Sequence, residues 1–381
     1  MKQSYDVIVV GAGPAGATLA YGLAKRGIGV LVLEKEKLPR YKCCAGGVTS
    51  KAAKLLDFDI SEVVEDVIYE LSFTFNMGSP YLGQHSQPLI YTVMRDVFDY
   101  FLVKKAQQLG AMLMDGQKVT RIQVGDDWVE IYTADNIFRS RLVVGADGAY
   151  SVVARELGMG GSIEYLVGTE SEIVVPEEEL AKWKSRVRVD LGYIPGGYAW
   201  VFPKRNHLSI GAGCLVSKAR GLNRRHQKFL SSLSMCNYTI ARSSSHLIPT
   251  CTKGRFVWQD KALFLGDAAG LADPLTGEGI YNAILSAQLA APVIENSLVG
   301  GKFELQDYQQ IVEKKIMSEL RIARTMSRNF VRFPRLAFGM FNQSEGVWRA
   351  ISSLTLGEMD YAAVKGKVGG FKGILNRLLR F

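Results

Sequence analysis

What this 381-residue sequence lacks argues against several protein classes. No apolar run reaches the roughly 18 residues of a membrane-spanning helix, because the longest stretch without an acidic or basic residue, 71–94, is interrupted by Pro, Gly, Ser and Gln. Five cysteines are too few and too scattered for a disulfide framework or a zinc ribbon. Four histidines without ligand spacing predict no metal site. Since the first residues show no signal-peptide pattern, we expect a globular protein of the reducing cytoplasm.

The net charge of +9 is concentrated near the carboxyl end. Residues 302–381 hold 14 Lys and Arg against 7 Asp and Glu, and residues 365–381 hold five basic and no acidic side chains among apolar ones. This pattern predicts peripheral contact with anionic lipid on the inner face of a membrane, or docking of an acidic protein or substrate. A solvated basic tail is the alternative. No nucleic-acid-binding motif accompanies the charge, so nucleic acid is not an expected partner.

The first 35 residues predict a βαβ unit, with strands at 5–10 and 30–33 and a helix at 15–26. The turn before the helix reads Gly11-Ala-Gly13-Pro-Ala-Gly16. In such a turn the glycines permit a tight bend, let the backbone approach a diphosphate and let the helix pack closely on the strand. Glu34 follows the second strand, where a carboxylate accepts from ribose hydroxyls and repels a 2′-phosphate. The sequence therefore predicts an adenine dinucleotide without a 2′-phosphate.

Two later strands predict that the dinucleotide is FAD rather than NAD. One lies at 139–144; the other, at 262–265, leads through Gly266-Asp267 towards a helix near 279–294. Asp267 is placed to accept from the ribityl hydroxyls, which NAD lacks. The amino end of the helix is suited to the pyrimidine end of an isoalloxazine, where it stabilises the anionic reduced flavin.

Because the parallel-type strands are far apart in sequence, we expect one domain to be assembled from several segments. The fold class is α/β (α+β), with a Rossmann-like FAD-binding domain from 1–70, 94–160 and 254–300. Segment 186–213 predicts antiparallel strands, which favours an antiparallel substrate domain from 71–93 and 161–253. The periodicity of 302–340 favours a helical region, taken as 301–381.

Together these motifs resemble the geranylgeranyl reductase family of FAD-dependent oxidoreductases, which has the para-hydroxybenzoate-hydroxylase-like fold. The resemblance covers at least residues 5–295. It implies that Asp147, in Val144-Gly-Ala-Asp147-Gly, lies near the cofactor. The FAD contacts that it implies outside the cysteine loop are Gly11, Gly13, Ala15, Gly16, Glu34, Arg95, Val119, Asp267, Gly279 and Ile280.

Two further motifs narrow the family. Pro39-Arg-Tyr-Lys-Cys-Cys44-Ala45-Gly46-Gly47 resembles the P-x-Y-K-x-C-G-G loop, which passes over the flavin in such enzymes; Ala45 departs from the commoner Gly. The resemblance makes Cys44, Ala45 and Gly46 cofactor contacts and Cys44 the candidate catalytic residue, as a proton donor or as a group that only packs on the flavin. The other motif resembles the Y-x-W-x-F-P…G-x-G signature of prenyl reductases, and it consists of Tyr198, Trp200, Phe202, Pro203, Gly211 and Gly213.

Strand alternation puts Tyr198, Trp200 and Phe202 on one face, a suitable wall for a polyisoprenoid chain, although ordinary sheet core is the alternative. Two basic groups are weaker candidates for a diphosphate head group, and a solvated cluster is the alternative for them: Lys204-Arg205, and Arg220 with Arg224 and Arg225.

The resemblance implies hydrogenation of C=C bonds in a geranylgeranyl or related polyprenyl chain. The head group stays open between diphosphate, lipid, chlorophyll precursor and quinone. No second G-x-G-x-x-G is present, so the external reductant is either transiently bound NADPH or reduced ferredoxin. Alternatives are a flavin monooxygenase or halogenase of the same fold, a flavin electron carrier or quinone-linked dehydrogenase, and a non-catalytic prenyl-lipid carrier.

Overall fold

The computed structural model describes residues 4–159, 162–251, 256–300, 304–335, 338–339 and 345–368. Within these residues the strands are β1 Ser4–Val10, β2 Val30–Glu34, β3 Gly47–Thr49, β4 Val64–Ile68, β5 Glu70–Phe75, β6 Tyr81–Gln84, β7 Ile90–Val93, β8 Met112–Asp115, β9 Arg121–Val124, β10 Val129–Tyr132, β11 Ile137–Gly145, β12 Ile163–Val174, β13 Arg186–Leu191, β14 Gly197–Pro203, β15 Leu208–Leu215, β16 Thr239–Cys251, β17 Trp258–Gln259 and β18 Ala262–Phe264. The α-helices are α1 Pro14–Ala24, α2 Ser50–Ala53, α3 Arg95–Gln108, α4 Val152–Glu156, α5 Glu177–Ala181, α6 Leu222–Ser232, α7 Ile280–Val299, α8 Gln306–Val312, α9 Ser318–Arg332, α10 Glu345–Leu356 and α11 Tyr361–Val368.

The first sheet has a parallel core in the order β18-β11-β1-β2-β8, with β17 antiparallel at one edge and β9-β10 joined to β11. Its central strands are β-branched and buried on both faces, as parallel strands covered by helices must be. Val9 of β1 lies opposite Val32 of β2 and Val144 of β11. Since parallel strands end at the same edge, the turns after β1, β2, β11 and β18 meet there.

The second sheet runs β16-β12-β15-β14-β13-β5-β6. Its pairings are antiparallel, as the sequence predicts, except that β5 and β13 are parallel. One face, with Ala199 and Val201 of β14, packs on Leu222 and Phe229 of α6. The opposite face of β14 therefore carries the alternating aromatic residues of the Y-x-W-x-F motif.

Segment 71–93 contributes to two sheets. It supplies most of β5 and all of β6 to the second sheet, whereas β7 pairs with β3 and β4 in a three-stranded sheet. No sequence motif predicts this third sheet. It matters for the site because β3 begins at the end of the cysteine loop, residues 39–47.

Helices near the carboxyl end cover part of the second sheet. Phe330 of α9 and Trp348 of α10 pack with Leu71 and Phe73 of β5 in one apolar cluster. Tyr361 of α11 donates a buried hydrogen bond of 2.6 Å to Asp273, which precedes α7. No helix among the described residues is both long and apolar enough to cross a bilayer. Most of the basic segment 365–381, the predicted lipid contact, lies outside the described residues.

Candidate active site

The turn after β1 leaves the amino end of α1 open. Gly13 is the N-cap and Pro14 the first residue of α1; no side chain caps the helix and its first turn has no acidic residue. Gly11 has φ +104°, and a Cβ there would lie 2.4 Å from the Ala146 carbonyl oxygen. A Cβ on Gly16 would lie 1.9 Å from the Gly11 carbonyl oxygen. Gly11 and Gly16 therefore allow the turn to form, and the free amides of α1 are available to an anion.

Gly13 differs from these two glycines because its missing side chain leaves space rather than preventing a clash. A Cβ there would meet only an Arg40 nitrogen, at 3.9 Å. Ala15 is buried beside Gly266, at the turn after β18. The cleft between the two turns is thus lined by backbone, as close approach of a diphosphate requires.

Glu34 ends β2 at the same edge and is buried. Its Oε2 accepts from the Ala12 amide at 2.8 Å and its Oε1 from the Glu36 amide at 3.2 Å. The Gln117 amide donates to the Glu34 carbonyl at 2.8 Å. This contact holds the segment with buried Val119 at the same edge of the sheet as Glu34. The carboxylate therefore stabilises the glycine turn and stands where a ribose would approach.

Asp267 lies in the turn after β18, which leads towards α7. Its carboxylate accepts no hydrogen bond from a residue that the structure describes. Burial raises its pKa, and Lys42 and Arg95 oppose that rise. Gly279 is the N-cap of α7, a Cβ on it would lie 3.4 Å from Asp267 Oδ1, and Ile280 begins the helix. A partly buried acceptor and an uncapped helix terminus thus face the same cleft.

The cysteine loop is held over the cleft by a buried lysine. Lys204 Nζ donates to the carbonyl oxygens of Ala45 at 2.7 Å and of Val93 at 2.8 Å. Gly46 has φ +65°, and a Cβ there would lie 2.0 Å from the Val93 carbonyl oxygen. The Gly46 amide lies 3.4 Å from the Cys44 sulfur. Lys204 therefore fixes the backbone that positions Cys44.

Cations surround Cys44 on the cleft side. Arg95 forms a two-pronged ion pair with Asp99, at 2.8 and 3.0 Å. Although burial works against it, Asp99 and the neighbouring Cys44 raise the pKa of Arg95. Burial and then Arg95 lower the pKa of Lys42 to about 8, and burial and then Lys42 lower that of His246 to about 4. This mutual repulsion would be relieved by a bound anion.

The residues Tyr198, Trp200 and Phe202 form an aromatic wall on the cleft-facing side of β14. The Tyr198 and Trp200 ring centroids are 5.7 Å apart, and the Tyr198 hydroxyl donates to the Thr276 carbonyl before α7. Phe202 lies against Gly47, where a Cβ would come within 2.8 Å of the ring. Buried Pro203 ends the strand. The wall therefore contacts both loops that border the cleft.

The two glycines of the G-x-G motif make room for the indole of Trp200. A Cβ on Gly211 would lie 2.3 Å from Trp200 Cζ2, and one on Gly213 would lie 3.3 Å from Cζ3. The spacing of the motif follows from the antiparallel register of β14 and β15, in which Gly211 lies opposite Trp200 and Gly213 lies opposite Tyr198. The indole rests flat on the neighbouring strand.

A set of buried charged and polar residues on this face was not predicted from the sequence. Glu170 and Glu172 of β12 are buried, Glu172 lies 3.0 Å from His207 Nε2, and the Cys44 amide donates to Glu170 at 3.1 Å. Tyr41 donates to Glu172 at 3.3 Å. The only local signal is two acidic residues at alternate positions of a β-branched strand, which puts both on one face.

One candidate from the sequence needs correction: Lys204 is buried, so it is not a head-group cation, and Arg205 is exposed and bonded to the Val64 carbonyl. The arginine cluster Arg220, Arg224 and Arg225 lies at α6 on the opposite face of the second sheet, as a solvated cluster would. The Asp147 backbone adjoins Gly11, and its carboxylate accepts from Ser151, Val152 and Val153 at the start of α4, so its place near the cofactor stays a prediction.

The cleft fits FAD by the chemistry of these residues. It offers two uncapped helix termini, a backbone cradle at Gly13, a partly buried Asp267 carboxylate that accepts no hydrogen bond from the residues the structure describes, and excess positive charge for a diphosphate. Each is a partner for a different part of the dinucleotide.

Comparisons with known proteins agree with this fit. A family model described as FAD binding domain matches residues 4–194. A digeranylgeranylglycerophospholipid reductase from Methanococcoides burtonii is 30% identical over 81% of this chain and 80% of its own length. A geranylgeranyl diphosphate reductase from a Synechocystis species is 30% identical over 86% and 85%.

Solved structures show the same fold. A geranylgeranyl bacteriochlorophyll reductase-like protein from Thermoplasma acidophilum has a TM-score of 0.83 at 20% identity, over 97% of this chain and 100% of that one. A flavin-dependent brominase has a TM-score of 0.76 at 19% identity, over 93% and 94%. Fold similarity therefore extends to enzymes of different chemistry, and the side chains must decide between them.

Proposed function

Because the chain belongs to the geranylgeranyl reductase family of FAD-dependent oxidoreductases, we propose that it hydrogenates carbon–carbon double bonds of a geranylgeranyl or related polyprenyl chain. The observation that carries the proposal is the aromatic wall of Tyr198, Trp200 and Phe202. It is apolar, it faces the FAD cleft, and it contacts the loops on both sides of that cleft. Such a surface suits a substrate without polar groups at its reacting carbons.

The bound cofactor would be held by residues already described. We assign the diphosphate to the amino end of α1 at Gly13, the ribose to Glu34, and the ribityl chain to Asp267. The amino end of α7 at Gly279 would stabilise negative charge on the flavin ring. Reduced FAD supplies the hydride for one alkene carbon.

The protein must supply orientation, a dry environment and a proton. An isolated alkene is a poor hydride acceptor, so placement against the ring and exclusion of water carry much of the catalysis. In our proposal Tyr198 and Trp200 orient the alkene, and Cys44 is positioned to protonate the other carbon.

We propose that the remainder of the prenyl chain follows an apolar layer that begins at Phe202. Phe202 belongs to a cluster that continues between the second sheet and the carboxyl-end helices, where Phe330, Phe338 and Trp348 pack over Leu71. We place the isoprenoid tail along this layer. Burying each methylene there contributes about 0.8 kcal/mol, which favours a long apolar substrate.

Our proposal also covers the head group of the substrate and the electron donor. The relatives are named for a glycerophospholipid and for a diphosphate, and we propose that this chain takes one of these two. The reductant is NADPH or reduced ferredoxin. Contact of the basic carboxyl-end segment with anionic lipid would give access to a substrate dissolved in a bilayer.

The test is anaerobic turnover. The flavoprotein is reduced with dithionite and mixed with geranylgeranyl diphosphate or, separately, with digeranylgeranylglyceryl phospholipid in anionic vesicles. We expect flavin reoxidation and products heavier by two hydrogens per reduced bond, measured by mass spectrometry. Reoxidation that requires oxygen and forms an oxygenated or halogenated product would replace this proposal with a monooxygenase or halogenase.

Replacing the Cys44 thiol tests its role in that turnover. Cys44→Ser keeps the size and the backbone contacts of the loop but provides a much weaker acid. We expect full flavin occupancy and about a 100-fold slower reoxidation by substrate, measured by stopped-flow absorbance. Cys236→Ser, at an exposed position, is the matched control. An unchanged rate in Cys44→Ser would leave the thiol with packing against the flavin alone.

A further inference from the structure

We propose that Glu170 stores the proton that each hydrogenation consumes, and that Glu172 and His207 refill it from solvent. The inference deepens the proposed function and rests on it. It assigns the source of the proton, which the sequence motifs alone do not identify.

Strand register places the two glutamates beside the aromatic wall. Glu170 lies opposite Gly211, which lies opposite Trp200, and directly opposed residues project to the same face. Glu172, Ser209 and Phe202 form the next such row. Both carboxyl groups are thus on the cleft-facing side of the sheet.

Glu170 lies directly beneath the cysteine loop. Its Oε1 accepts from the Cys44 amide at 3.1 Å. Its Oε2 is buried and makes no hydrogen bond of standard geometry with a described residue, although the Ser209 hydroxyl lies close enough to lower the Glu170 pKa. Trp200 Nε1 in the same row is also buried without a hydrogen bond to a described residue. An unpaired buried carboxyl oxygen is costly, so its retention beside the wall calls for a role beyond structure.

The route to solvent runs along the next row. Glu172 Oε1 accepts from the Tyr41 hydroxyl at 3.3 Å, and that hydroxyl is 3.4 Å from Ser244 Oγ. Glu172 Oε2 lies 3.0 Å from His207 Nε2. The other ring nitrogen lies 2.7 Å from Asn206, which is exposed. The polar chain therefore begins at the surface and reaches Glu172. The Ser209 hydroxyl, opposite Glu172 in the strand register, lies close enough to Glu170 to lower its pKa and is the group between the two carboxyls.

The environment of Glu170 keeps a proton available near neutral pH. Burial and the charge of Glu172 raise its pKa to about 7, and Lys204 limits that rise. Cys43 and Tyr41, from the loop above, are the other titratable groups that face it; burial raises the pKa of both, and the charge of Glu170 adds to that rise. A carboxylic acid with a pKa near the working pH is an effective proton donor.

Saturating one double bond adds one hydride, whose two electrons come from the reduced cofactor, and one proton. In this proposal the Cys44 thiol gives its proton to the alkene carbon and takes the proton of the Glu170 carboxyl, so the thiol is restored and Glu170 becomes a carboxylate. Glu172 and His207 then return a proton from solvent to Glu170. In the assay dithionite supplies the electrons.

The first measurement needs no substrate. Infrared difference spectra of the oxidised holoenzyme are recorded from about pH 6 to about pH 8. We expect a protonated-carboxyl band that is lost with a midpoint near 7 and is missing from Glu170→Gln, which keeps the shape and the acceptor for the Cys44 amide. The matched control, Glu178→Gln at an exposed position of α5, should retain the band. Absence of a titrating band in the wild type overturns the proposal, whatever the substrate.

The second measurement follows flavin reoxidation by the prenyl substrate. In the wild type the rate should fall above about pH 7, because only the protonated form of Glu170 donates. Glu170→Gln should be about 100-fold slower, with a flat pH profile and normal flavin content. A wild-type rate and profile in Glu170→Gln overturn the proposal and leave the reductase function standing. A wild type that reduces no prenyl substrate contradicts the function instead, and the infrared result then decides the proton store separately.

His207→Gln tests the refilling route even if Glu170→Gln folds poorly. Its first turnover should proceed at the wild-type rate, because the stored proton is already present, whereas later turnovers should slow about 10-fold and recover with added imidazole. Equal slowing of the first and later turnovers, without rescue by imidazole, would show a structural role and contradict the route.

Discussion

Gly13→Val is expected to give a folded protein that purifies without flavin. The Gly13 backbone is extended, which suits valine, and a Cβ there meets only an Arg40 nitrogen at 3.9 Å. The side chain therefore disturbs nothing in the protein itself but occupies the space that a diphosphate needs. We expect overpacking of about 3 kcal/mol, roughly a 100-fold weaker affinity for FAD, measured by flavin absorbance and by titration of the apoprotein.

Two other glycines make this result interpretable. Gly11→Val should lose the fold of the turn as well as the flavin, because its Cβ would lie 2.4 Å from the Ala146 carbonyl oxygen at a positive φ. Gly366→Ala, with open space around it, should change neither. Circular dichroism separates the three variants. Normal flavin content in a folded Gly13→Val protein would show that the diphosphate does not pass this residue.

Lys204→Met is expected to lower the free energy of unfolding by about 3–5 kcal/mol. The substitution leaves the carbonyls of Ala45 and Val93 without their buried donor, and removes the cation that faces Glu170 and Glu172. The loss should appear in urea denaturation followed by circular dichroism, with lower flavin occupancy because the cysteine loop is no longer fixed.

The neighbouring residue provides the control for this loss. Arg205→Met removes an exposed side chain bonded to one carbonyl, and should change the stability by no more than about 0.5 kcal/mol. Equal stability of Lys204→Met and the wild type would mean that the cysteine loop is held by other contacts. Since Lys204 lowers the pKa of Glu170, Lys204→Met should also move the carboxyl titration to higher pH.

The cofactor half of the molecule was predictable because its signals are local. The turn Gly11–Gly16, its flanking strand and helix, and Glu34 lie within one βαβ unit, and each glycine has a steric reason that any such unit shares. The FAD-binding fold and the family followed from these motifs and are confirmed. The exact domain bounds and the individual contacts to FAD stay predictions.

The buried polar contacts around the cysteine loop were not predictable because the residues that form them are distant in sequence. Cys44 and Glu170 are 126 residues apart, and Lys204 and Ala45 are 159 apart. A basic Lys-Arg pair after a strand reads as a surface group, and only the packing of the cysteine loop on β14 shows that Lys204 is buried. The parallel pairing of β5 with β13, across a similar separation, was missed for the same reason.

The flat seating of the Trp200 indole on Gly211 also has an evolutionary consequence. A side chain at position 211 would occupy the volume of the indole, with a Cβ only 2.3 Å from Cζ2, so a relative with a larger residue there must carry a smaller one at position 200. The sizes of the residues at the two positions should therefore co-vary inversely, and enlarging the side chain at position 211 would require a smaller one at position 200.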